Sequence, residues 1–141
     1  MRKNTELSLS KYLSELNWGL DAQILVNRIN NNLQKDSVVI VTTSFGMTED
    51  ATKTTKRSPM GVNLLSKYYY DIIIMENALY DDLKTRVNKV PLYDFADLDN
   101  PVPKEGYIRI RKFEVGTNIL KQGEYILKPI TIEYEEVINY G

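Results

Sequence analysis

The chain has 141 residues, with 18 Lys and Arg against 19 Asp and Glu, and it contains neither Cys nor His. A net charge of −1 gives no global field to attract nucleic acid or an anionic membrane. The missing Cys excludes a disulfide framework and thiolate chemistry, and the missing His removes the usual proton shuttle, the commonest metal ligand and every Ser-His or Cys-His arrangement. The length suits one domain over residues 1–141, burying roughly two thirds of its unfolded surface. No apolar run approaches the ~20 residues of a bilayer span, and Met1-Arg2-Lys3 leads into a polar segment instead of a signal-peptide core. The expectation is a chain in the cytoplasm or in an assembled particle.

From Thr5 to Leu16, Leu9, Tyr12, Leu13 and Leu16 fall on one helical face, and Thr5 or Ser8 can accept the first free backbone N–H groups. Asn17-Trp18-Gly19 interrupts this helix. A second helical pattern starts at Asp21, with Ile24, Leu25, Ile29 and Leu33 on one side, and Trp18 reads as a plug between the two. Val38 to Thr43 is β-branched throughout, which favours a strand over Asp36 to Ser44. Phe45 to Val62 has no period and almost no large apolar group, so it reads as a long loop. Lys67 to Glu76, rich in Tyr and Ile, gives the strongest strand signal and is expected to be the central strand. Together these segments predict a long antiparallel hairpin with Lys53, Lys56 and Arg57 near its tip.

Asn77 to Val90 repeats Leu79, Leu83 and Val87 every four residues and predicts a helix that Pro91 ends. Pro91 to Gly106 reads as a second long connection, carrying Asp94, Asp97, Asp99 and Glu105 against Lys104. Tyr107 to Val115 alternates until Phe113 and Val115 change parity, which a bulge near Lys112 reconciles. An eight-residue connection from Gly116 to Gly123 precedes a last strand over Tyr125 to Ile138, where Pro129 argues for an edge position or a local break. The resulting expectation is an α+β fold: a mostly antiparallel four-stranded sheet with helices packed on one face and a long hairpin loop.

The residues offer little chemistry. Asp94, Asp97 and Asp99 are the oxygen-ligand type that suits Ca²⁺ or Mg²⁺, but their spacing lacks the Gly and terminal Glu of an EF-hand loop, so the reading is a solvated acidic loop. Glu133, Glu135 and Glu136 would need Asp71 or Asp82 beside them for acid-base work, and one strand commonly presents such Glu to water. Lys53, Lys56 and Arg57 are the best candidates for electrostatic contact, with phosphates or with an acidic protein surface. Tyr68 to Tyr70 would add stacking only if they face outward. Phosphate loops, Walker motifs and nucleophile elbows are missing. The chain is therefore not expected to be an enzyme and implies no cofactor and no metal. A head-to-tail contact between the basic tip at Lys53, Lys56 and Arg57 and the acidic loop at Asp94, Asp97 and Asp99 of a neighbouring copy would generate a ring.

The order of elements, with helices over Thr5 to Leu33, a hairpin over Val38 to Met75, a helix over Asn77 to Val90 and closing strands over Tyr107 to Val115 and Tyr125 to Ile138, resembles the tail terminator and tail-completion proteins of tailed bacteriophages. That resemblance implies a structural subunit of the virion, a homo-hexameric ring that caps the tail tube and joins it to the head connector. Its partners would be copies of itself, tail-tube and connector proteins, with no membrane and only incidental nucleic acid. The alternative is a small nucleic-acid-binding or regulatory module working through the basic loop 53–57.

Overall fold

The computed structural model describes residues 3–26, 33–43, 58–116, 120–122 and 124–137. Helix α1 covers Lys3–Glu15, as the spacing of Leu9, Tyr12 and Leu13 predicts. Its carboxyl end is closed by Trp18, which is buried and whose indole N–H donates to the Leu13 carbonyl at 3.0 Å. Gly19 then turns the chain at φ +82°, where a Cβ would also meet Ile74 Cγ2 at 2.9 Å. The second helix expected from Asp21 does not start there. Gln23–Val26 is strand β1, paired in parallel with β2 (Ser37–Thr43), so Trp18 plugs the end of one helix instead of a junction between two.

Strand β2 pairs antiparallel with β3, Ser58–Ser66, and the hairpin is real, but its second strand is not the one expected. Met60, Val62 and Leu64 alternate into the core, within and just beyond the segment read as loop. The supposed central strand is helix α2, Tyr69–Thr85, with Ile72, Met75, Leu79 and Leu83 buried at intervals of three and four. Asp71 in its first turn and Lys84 in its last complement the helix dipole. Asp71 also accepts from the hydroxyls of Ser37 and Ser66 (3.3 and 3.4 Å), tying the helix start to the β2–β3 pair.

Strand β4, Lys89–Asp94, occupies part of the expected loop after Pro91. It pairs with β5, Val102–Val115, which pairs with β7, Tyr125–Val137. The β5–β7 register shifts between Ile110 and Lys112, where the parity change places a bulge. A short strand β6, Leu120–Gln122, lies in the expected connection and pairs with Leu127 to Tyr125.

The sheet is thus neither four-stranded nor antiparallel throughout. Six strands run in the order β1-β2-β3-β7-β5-β4, mixed in direction and curled into a half-barrel, with β6 paired to β7 beyond the end of β5. Side chains from both helices and from the inner faces of β2, β3, β7, β5 and β4 share one core. The outer face carries a smaller apolar cluster at Leu25, Val38 and Leu65.

Two prolines fit this topology for different reasons. Pro91 sits in edge strand β4, where a missing donor costs least. Pro129 sits in β7, at the middle of the sheet and not at an edge. Its carbonyl accepts from Gly116 N–H at 2.8 Å, so its ring nitrogen also faces the gap between the last β5 pair, at Ile130, and the first β6 pair, at Leu127. The free edge of β4 is closed by α1. The Ser8 hydroxyl accepts from Tyr93 N–H and the Asn4 amide oxygen from Phe95 N–H, both at 2.9 Å.

Candidate interaction surfaces

Lys53, Lys56 and Arg57 lie outside the described residues. Asp94, Asp97 and Asp99 sit on or beside the turn between β4 and β5, and the oxygens of Asp94 and Asp97 serve the turn itself. Asp94 accepts from Ala96 N–H at 2.9 Å, and Asp97 accepts from Asp99 N–H at 3.1 Å and from the Asn100 side-chain amide at 3.2 Å. The Asn100 amide, followed by the Asp99 N–H, holds the Asp97 carboxyl below its ordinary pKa. Among the described residues no three carboxylates gather where a metal ion would bind. The same turn exposes two apolar side chains that sequence reasoning passed over, Leu98 at 69% and Val102 at 56%.

Of the carboxylates weighed for acid-base work, Glu135, Glu136, Asp71 and Asp82 are held in separate networks. Glu135, only 4% exposed, faces Arg111 at 3.3 Å and Arg109 at 3.5 Å across the outer face. Glu136 meets Lys104 at 3.8 Å, and Asp71 belongs to the serine network at the start of α2. Asp82 takes a hydrogen bond from the Tyr12 hydroxyl and another from Arg86 Nε at 2.8 Å, while the Arg86 guanidinium lies 5.2 Å from the Tyr12 ring centre. Burial, and then the bond to Asp82, push the Tyr12 hydroxyl far above its ordinary pKa. At Asp82 burial opposes ionisation, but the bonds from Tyr12 and Arg86 outweigh it and keep the carboxyl below its usual value. This triad lines a cleft of about 180 Å³ between the helices and β4. Its polar groups are turned on one another, so it works as a latch joining α1 to α2.

A larger groove runs between the end of α2 and β5. Leu83 is buried at its base, Tyr80, Val87 and Phe113 form its walls, Lys84 stands exposed at its rim, and its volume is about 370 Å³. The Tyr80 and Phe113 rings meet edge to face at 6.2 Å. Val87 is 73% exposed and has φ +56°, followed by Asn88 at φ +59°. The Asn88 N–H donates to the Leu83 carbonyl at 2.8 Å and the Val87 N–H to the Lys84 carbonyl at 3.1 Å, a Schellman closure with Val where Gly is usual. The period Leu79, Leu83, Val87 suggested one continuous helical face, whereas Val87 lies past the helix end. Tyr69 and Tyr70 extend the exposed apolar surface at the other end of α2.

No protein-family model matches the chain and no curated protein matches it. A solved protein structure whose designation states no function is similar in fold, with a TM-score of 0.52 and 14% sequence identity over 99% of this chain and 95% of that one. That likeness concerns the fold alone. Within the described residues no helix is long and apolar enough to cross a membrane.

Proposed function

We propose that this chain is a structural subunit that assembles with copies of itself into a ring, specifically a tail terminator of a tailed phage, placed in the virion between tail tube and head connector. The observation that carries this reading is the set of apolar side chains left open on and just past α2: Tyr69 and Tyr70 at its start, Tyr80 toward its end and Val87 beyond it. Open apolar surface of this kind is characteristic of protein-protein contact sites. Of the order that prompted the resemblance, a first helix, a β2–β3 hairpin, a following helix and the closing strands β5 and β7 recur, while β1, β4 and β6 are additional. The role calls for shaped surfaces and needs no catalytic group or cofactor.

Solution mass tests the reading. Light scattering over a concentration series is expected to give a discrete species several times 16.3 kDa, six copies in the specific form, with closed rings in electron micrographs. Heterogeneous aggregates, or a monomer that also fails to join purified tail tubes, would remove it.

A second reading, nucleic-acid binding, draws on the outer face, where Lys89 and Arg109 flank Tyr107 and Arg111 joins Arg109 at the buried Glu135. Lys89 and Arg109 lie 5.0 and 5.8 Å from the Tyr107 ring centre, so they occupy the ring that a base would stack on. A titration with single- and double-stranded DNA that shows no salt-dependent binding would dismiss it.

A further inference from the structure

The turn between β4 and β5 carries an exposed leucine between two aspartates, and the groove between α2 and β5 is largely apolar with a lysine at its rim. Leu98 projects from the turn, and the turn is held by the Asp97 hydrogen bonds to Asp99 and Asn100, so the side chain is presented on a preorganised support. Asp97 and Asp99 flank it in the chain. The groove offers an apolar base and walls of a size that admits a leucine, with Lys84 at the rim.

Val87 provides an independent sign that the groove is used. An exposed β-branched residue with positive φ lowers the stability of its own chain, and such conformations concentrate where a side chain serves a contact.

The two features lie at opposite ends of the β4–β5 pair. Ile110 N–H bonds to the Asn88 carbonyl at the groove end, and Asp94 pairs with Val102 at the turn end. A chain therefore cannot seat its own Leu98 in its own groove. We infer that the Leu98 turn of one copy docks into the Tyr80–Val87–Phe113 groove of the next, with Asp97 and Asp99 facing Lys84. The contact is heterologous, since knob and groove are different surfaces, and repetition with a fixed rotation closes a ring. This assignment rests on the self-assembly reading and names the surfaces it would use.

The absence of native Cys makes the test direct. Leu98→Cys protein is mixed with Tyr80→Cys protein under mild oxidation, and in parallel with Tyr70→Cys protein, whose position is more open but outside the groove. The bond between positions 98 and 80 is expected to form about tenfold or more in excess of the bond between 98 and 70, because seating raises the local thiol concentration. Lys84→Glu in the groove-bearing copy should reduce that yield, and Asp99→Lys added to the knob-bearing copy should restore it. A chain carrying both Leu98→Cys and Tyr80→Cys should give a ladder of multiples of 16.3 kDa. Equal yields at positions 80 and 70 would overturn the contact. If light scattering of the unmodified chain still showed a discrete oligomer, the ring reading would survive by another surface; if it showed only monomer and the chain also failed to join purified tail tubes, both would fall.

Discussion

Replacing Val87 with Gly should make the subunit more stable and its assembly weaker. In the left-handed region an L-residue carries about 1–2 kcal/mol of steric cost that Gly avoids. The greater freedom of Gly in the unfolded chain takes back about 0.5–1 kcal/mol. Because the Val87 side chain is 73% exposed, little burial is lost. The net expectation is a gain of about 0.5–1 kcal/mol, or about 2–4 °C in Tm for a chain of this length. The measurement is urea unfolding of Val87→Gly and of Val87 chains, both carrying Leu98→Asp so that association does not add to stability. A loss of more than about 0.5 kcal/mol on introducing Gly would refute the left-handed helix end, since Gly is costly only in ordinary helix or strand backbone. Without Leu98→Asp, the same substitution should raise the dissociation constant between copies, because it strips one wall from the groove.

Other substitutions test the packing. Gly116→Ala would place a Cβ 2.7 Å from Pro129 Cγ and 3.0 Å from its carbonyl oxygen, so a loss of about 1–3 kcal/mol is expected in urea unfolding. Tyr12→Phe removes a donor from Asp82, at a cost of about 1–2 kcal/mol near neutral pH. Because the Asp82 carboxyl is depressed in the fold, that stabilisation is present above the ordinary carboxylate value of 3.8 and is lost as pH falls through the lower folded value. The gap between Tyr12→Phe and the parent chain should therefore narrow below pH 3.8, and a gap that persisted in acid would show that the hydroxyl acts through packing.

Much of the fold can be read from periodicity, and the failures have specific causes. Ile72, Met75, Leu79 and Leu83 form an unbroken helical stripe, but the tyrosines and the Ile72-Ile73-Ile74 run carry high strand propensity, and tertiary packing overrides it. Met60, Val62 and Leu64, and Val90 with Leu92, alternate as strands do, yet Pro59, Gly61 and Pro91 read as breakers before the edge position of β4 is known. The bulge near Lys112 was legible because it reverses the parity of every later side chain. The surfaces were harder to see. Leu98 stands alone in a polar turn with no period to mark it, and the exposure of Val87 follows from a helix ending at Thr85 that the four-residue spacing conceals.

The placement of β7 constrains how the chain can come into being. The last strand in chain order is the middle one of the sheet, holding β3 on one side and β5 and β6 on the other. During synthesis the β2–β3 and β4–β5 hairpins can each form, but no strand ladder joins them until Tyr125–Val137 leaves the ribosome. The six-stranded sheet therefore closes only once β7 is available, and a chain terminated before Tyr125 leaves the facing edges of β3 and β5 unpaired and open to aggregation.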